Sequence, residues 1–201
     1  MNSKSEIMEQ NNLAFDFIEK LYLESSYLVK EIAGILNEEE ENFLIGKPGG
    51  YGVTASTSRG LEPNNVKSWL LKKLSVFFIP EEKTELRGGV TVTKIDKNLQ
   101  VLYLRIAFYD KTIKSPTVYS GVLHNIEKKN DTSFVKKFEN IMGLIEYHDD
   151  KAFKDIKKIN YEDIYIKFQG ELIKNNLFDI NDSETIVNKI IKPSLELYRK
   201  Y

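Results

Sequence analysis

The period of the apolar residues changes twice along this chain. From Ser5 to Asn37, Ile7, Asn11, Ala14, Ile18, Leu21, Ser25, Leu28, Ile32 and Ile35 are spaced alternately four and three apart. That spacing predicts one long amphipathic helix with a heptad-like seam, and Phe15, Tyr22, Val29 and Leu36 widen its stripe. Between Gln100 and Tyr109 the side chains sort by parity instead. Leu102, Leu104, Ile106 and Phe108 share one face, while Val101, Tyr103, Arg105, Ala107 and Tyr109 share the other. This predicts a strand with one apolar face and one mixed face. Val90–Thr93 alternates before it, Asp96-Lys97-Asn98 offers a hairpin turn, and Thr117–Ile126 supplies a third run after Ser115-Pro116. A three-strand antiparallel unit is expected over Val90–Glu127. Helical spacing then returns. Ser133 caps a helix carrying Phe138, Ile141, Met142 and Ile145. Asn160 opens another with Ile164, Phe168 and Leu172 on one side, although the β-branched Ile164 and Ile166 also suit a strand over 164–168. The last helix starts near Asp182 or Ser183, and Pro193 kinks or interrupts it before Leu195–Tyr201.

Breaks in the chain set the organisation. Lys47-Pro48-Gly49-Gly50-Tyr51-Gly52 is the strongest one. Asn64 or Asn65 can cap a short helix holding Trp69, and Leu74–Ile79 looks like a further strand. The fold class is therefore α+β: an antiparallel sheet of about four to five strands, packed by the long N-terminal helix and by C-terminal helices. Residues 1–41 form the helix, 42–127 the sheet region and 128–201 a C-terminal helical region, together one domain. A chain of 201 residues is long enough to bury a real core.

Composition excludes several chemistries. With no cysteine there is no disulfide, thiolate metal site or cysteine nucleophile. No apolar run approaches the ~18–20 residues that cross a bilayer, and Met1 to Asn12 lacks a signal-type apolar segment, so the expected location is cytoplasmic with no membrane partner. The net charge of −1 hides an uneven layout. Residues 1–41 hold 3 basic against 10 acidic side chains, 42–127 hold 12 against 7, and 128–201 hold 14 against 13. An acidic helix beside a basic sheet region points first to complementarity within the chain. The run Glu38-Glu39-Glu40-Glu41 is unfavourable at a helix C-terminus, so it belongs beyond the last turn, solvated or facing basic groups.

Candidate chemistry is sparse. Only His124 and His148 offer imidazoles; His124 shares parity with Val118 and Val122 and reads as structural, while His148 suits a helix C-terminus. Neither belongs to an HExxH spacing, and no GxSxG turn supports a serine nucleophile. The glycine-rich loop presents Tyr51, Ser58 and Arg59 to an anion, with the guanidinium as a planar donor fork. Arg105 interrupts an apolar strand, so it needs a partner, with Glu24 or Glu31 of the N-terminal helix the first candidates. In the functional version, Arg105, Tyr103 and Tyr109 line a cleft for an anionic ligand or a partner's carboxylate, joined by Tyr119. These residues lead to a non-catalytic module that binds a small anionic ligand or a protein partner and needs no cofactor. An alternative rests on Asp110 after one strand with Glu127 and Lys129 at the end of the next. That trio resembles the PD-(D/E)xK nuclease pattern, without its Pro-Asp pair. The resemblance implies a phosphodiesterase acting on nucleic acid, with Mg²⁺ or Mn²⁺ on Asp110 and Glu127 and with Lys129 at the attacking water. A third possibility is a homodimer assembled through the N-terminal helix, with Asn11 and Ser25 setting register.

Overall fold

The computed structural model describes residues 4–46, 53–55, 70–87, 90–95, 99–109, 113–129 and 138–201. The chain opens with α1 (Lys4–Asn37), then the short β1 (Phe43–Ile45) and β2 (Val53–Ala55) and the long β3 (Lys73–Pro80). A 3-10 turn leads to β4 (Thr84–Arg87), β5 (Val90–Thr93), β6 (Val101–Ala107) and β7 (Thr117–Lys128). Next come α2 (Phe138–Tyr147), α3 (Asp149–Ala152), β8 (Ile159–Glu162) and β9 (Ile166–Asn176). The chain ends in a continuous helical segment: α4 (Ser183–Ile186), a π turn over Val187–Ile191, and α5 (Lys192–Lys200). The main sheet runs β1-β3-β6-β7-β9-β8, with β2 also paired to β3, and every pairing is antiparallel.

The α+β architecture and the long N-terminal helix follow the sequence pattern, but two features differ from it. β5 pairs with β4 in a separate two-stranded sheet, and the inner neighbour of β6 is β3, in register from Lys73↔Ala107 to Phe78↔Leu102. Four alternating residues fit many partners. β3 is buried on both faces from Leu74 onward, so it removes far more apolar surface from water beside β6. The Asp96–Asn98 turn lies outside the described residues, as does the short helix expected near Trp69. The second difference is that the C-terminal region is not all helical, because β8 and β9 extend the sheet. Ile164, Phe168 and Leu172 stand four apart, a spacing that lies on one face both of a helix and of a strand. Burial resolves it: Ile166, Phe168, Gly170 and Leu172 are buried and the residues between them less so, which is period two.

Both faces of the sheet are covered. On one, Leu74, Val76, Leu102, Leu104 and Ile106 pack against Leu28, Ile32 and Leu36 of α1 and against Ile186, Ile190 and Leu195 of the C-terminal helices. On the other, Phe77, Val101, Tyr103, Leu123 and Phe168 pack beneath Phe138, Ile141, Met142 and Ile145 of α2. All seven residues of β6 are consequently buried. Tyr22 pins α1 to the sheet, donating to the Leu71 carbonyl at 2.7 Å and resting 5.0 Å from the Phe108 ring. β7 and β9 approach closely at Gly121, where φ is 154° and a Cβ would stand 2.2 Å from the Glu171 carbonyl oxygen, so only glycine fits. The acidic run after α1 finds a base: Arg199 reaches Glu41 at 3.1 Å and Glu39 at 3.4 Å. That contact holds the Glu41 carboxyl below its ordinary range.

The C-terminal helix shows how a proline is absorbed. Asp182 caps α4 through the Thr185 N–H at 2.7 Å, and Thr185 Oγ1 takes the Asp182 N–H in return. Pro193 has no N–H to give to the Lys189 carbonyl, and its ring would crowd that oxygen in a regular α-helix. The chain widens into the π turn, where the Lys192 N–H bonds to Val187 O, and Asn175 of β9 donates its side-chain amide to Lys189 O at 2.9 Å. Asn175→Ala is therefore expected to lower stability by about 1 kcal/mol in urea unfolding. In a Pro193→Ala background, where residue 193 regains its own donor, the same change is expected to cost measurably less. Equal costs in both backgrounds would mean that Asn175 does not serve the proline.

Candidate functional site

The mixed face of β6 carries a connected group of buried polar side chains. Across the strands the register aligns Ser75, Arg105, Tyr119 and Lys174 in one row. Tyr103 lies one pleat along, 5.0 Å from the Phe77 ring and 5.4 Å from the Phe153 ring. The Ser75 hydroxyl donates to Oε2 of Glu146, a residue of α2 that is only 4% exposed. Having spent its one proton there, Ser75 Oγ receives the Tyr103 hydroxyl, 2.8 Å away. The relay Tyr103 to Ser75 to Glu146 is thus fixed in direction. Arg105 is buried beside it, its guanidinium 5.7 Å from the Tyr119 ring and 5.8 Å from the Phe153 ring, in cation–π range. Lys174 approaches the same Tyr119 ring at 5.8 Å.

The structure therefore brings Tyr103, Arg105 and Tyr119 to one face. Tyr109 lies beyond the end of β6, largely exposed, with its N–H on the Lys72 carbonyl at 3.2 Å. Tyr51, Ser58 and Arg59 lie outside the described residues. The expected partnership of Arg105 with Glu24 or Glu31 does not form, because α1 packs on the opposite face; Glu31 instead accepts from Ser183 Oγ at 2.5 Å. Sequence reasoning passed over Ser75 and Glu146. The signal was present: Glu146 stands four residues after Met142 and eight after Phe138, an acid inside an apolar helical stripe. Arg105 is itself buried against the Tyr119 and Phe153 rings, which leaves little open surface for an anion.

Of the acid–lysine trio, Glu127 and Lys129 lie among the described residues. Asp110 lies outside the described residues; β6 ends at Ala107, paired with Thr117 at the start of β7. Glu127 lies at the far end of β7, paired with Lys167, roughly 30 Å along the strand. The last residue of β6 and the last residues of β7 therefore stand at opposite edges of the sheet. Lys129 is ion-paired with Glu162, which raises the lysine's pKa and keeps it protonated, the reverse of an activated base. Among the described residues no group of three or more His, Cys, Asp or Glu side chains converges on a metal position.

Both histidines are engaged. His148 Nε2 stands 3.5 Å from Asp163 Oδ2 and its ring stacks on Tyr161 at 5.5 Å. Asp163 also accepts the Tyr165 and Ile166 N–H groups at 2.7 Å, so it shapes the turn between β8 and β9. Its charge and hydrogen bond, with burial as the larger cause, push the Tyr161 hydroxyl up to about 12. His124 stacks on Tyr201 with ring centres 4.1 Å apart, and burial lowers its pKa.

A second feature lies on α1. Its stripe is buried from Ser25 onward, yet every residue from Lys4 to Phe17 is exposed. Ile7 and Ala14 prolong the line of Ser25 and Ile32, and Ile7, Met8, Leu13, Phe15 and Phe17 are each 57% to 62% exposed. Beside this helix an open groove of about 490 Å³ runs between α1 and the segment from Leu177 to Ile186. No family model matches the chain, and neither a curated protein nor a solved structure matches it. Among the described residues no helix is long and apolar enough to cross a membrane.

Two measurements test the interior. Ser75→Ala removes a donor from a buried carboxylate and is expected to cost about 1–3 kcal/mol in denaturant unfolding. Adding Glu146→Leu should recover much of that loss, whereas additive costs would show that the two groups are uncoupled. For His124 the folded pKa lies below the ordinary 6.5, so the unfolded chain protonates first. Its contribution is constant above the ordinary value and falls as pH drops below it, until the folded group also titrates. Melting temperature should therefore fall between about pH 7.5 and pH 5.5, and His124→Phe, which keeps the stack, should flatten that slope.

Proposed function

We propose that this chain is a non-catalytic interaction module that binds another protein, with the projecting half of α1 as its main contact surface. The observation that carries the reading is the run of exposed apolar side chains from Ile7 to Phe17, on a helix whose following turns are packed on the sheet. Five large apolar groups on three to four turns exceed the scattered exposure normal for a monomer surface. Met8 and Phe15 stand seven apart and Leu13 and Phe17 four apart, spacings at which a partner can bury each pair together. The small-anion reading has less support, since Arg105 is buried against Tyr119 and Phe153.

The test uses a photo-crosslinking residue at Phe15 in the source cells, followed by reconstitution of the captured protein with the purified chain. Saturable binding is expected, weakened by about tenfold or more in Ile7→Glu/Phe15→Glu, with unchanged melting because both sites are exposed. Unchanged binding in that variant would sink the reading. Sedimentation showing a dimer that the same variant dissolves would replace the foreign partner with a second copy.

A further inference from the structure

The groove beside α1 has a chemical character of its own. Leu21, Leu28, Leu177 and Ile186 line it with apolar surface, and Phe17, Tyr27 and Phe178 stand along it, each more than half exposed. Its charged lining residues are Glu24, Glu31 and Asp182 against Lys20 alone, three acids and one base. Asp182 is held ionised by the Thr185 N–H, and its bond there leaves the charge in place. From Phe17 to Glu31 the α1 wall is about 21 Å long, the length of roughly four helical turns. That wall is an α-helix with its backbone bonded internally, so it offers an incoming chain side chains but no strand edge. An occupant must satisfy its own backbone, which a helix does.

From these features we infer that the groove receives a cationic amphipathic helix of a partner protein, its apolar face on the Phe17, Tyr27 and Phe178 side chains and its Lys or Arg residues toward Glu24, Glu31 and Asp182. A second copy of α1 suits the groove poorly, because residues 1–41 carry 10 acids against 3 bases and would meet like charge. This inference rests on the protein-binding reading and adds the chemical class of the partner.

The probe is a synthetic Leu/Lys amphipathic helix of about 18 residues, followed by fluorescence anisotropy against the full chain, with a Leu/Glu peptide of the same pattern as control. One-to-one saturable binding of the Lys peptide is expected, at least about tenfold weaker in Glu24→Lys/Glu31→Lys and weaker again in added salt. Lys20→Glu, which makes the groove more acidic, is expected to tighten it, and this gain does not depend on a destabilised variant. Phe178→Ala should weaken it without changing the salt dependence. Equal binding of the Glu peptide, or an equal loss from the distant Glu81→Lys/Glu82→Lys, would reduce the effect to general charge attraction and overturn the inference. The captured partner separates the two readings. If Ile7→Glu/Phe15→Glu weakens it and Glu24→Lys/Glu31→Lys does not, the groove assignment fails while the interaction reading stands; if neither does, both fail.

Discussion

The rest of the molecule depends on the burial of β6 between two helical layers. Leu102, Leu104 and Ile106 need cover on one face and Val101 and Tyr103 on the other, so neither α1 nor α2 alone can close the core. Each buried aliphatic or aromatic side chain contributes on the order of 1.5–3 kcal/mol, which makes covering both faces the dominant driving force. The consequence is a sheet with helices above and below although every pairing in it is antiparallel. Long neighbours flank β6 for the same reason, and the short alternating β4 and β5 pair with each other outside it.

Covering the mixed face has a polar cost. Tyr103, Ser75 and Arg105 arrive there by strand parity, and once α2 seals the face they need partners inside the protein. Glu146 comes from the sealing helix itself. The element that removes water from Ser75 therefore delivers the acceptor that replaces it. Tyr119 and Phe153 provide π surface for the guanidinium. The same logic operates at Pro193, where a missing backbone donor in one layer is replaced by Asn175 from the next.

α1 is longer than the core requires. Its sheet-facing stripe is complete between Leu21 and Leu36, yet the apolar spacing continues back to Ile7. Turns that bury nothing within the chain carry Phe15 and Phe17 into solvent, and acids dominate the helix around them. Those exposed apolar groups are the surface that the proposed contact with another chain would cover.

Local physics was legible in the sequence: the 3.6-residue stripe of α1, the alternation of β6, the Asp182 cap and a helical irregularity next to Pro193 all depend on near neighbours. The long-range choices were not. Spacing of four at Ile164, Phe168 and Leu172 fits a helix and a strand equally, and only pairing with β7 and β8 decides between them. The partner of β6, the face on which Arg105 lies, and the meeting of Ser75 with Glu146, 71 positions apart, required the folded sheet. Parity assigns a side chain to a face, but which helix covers that face is set by the summed burial of the whole chain.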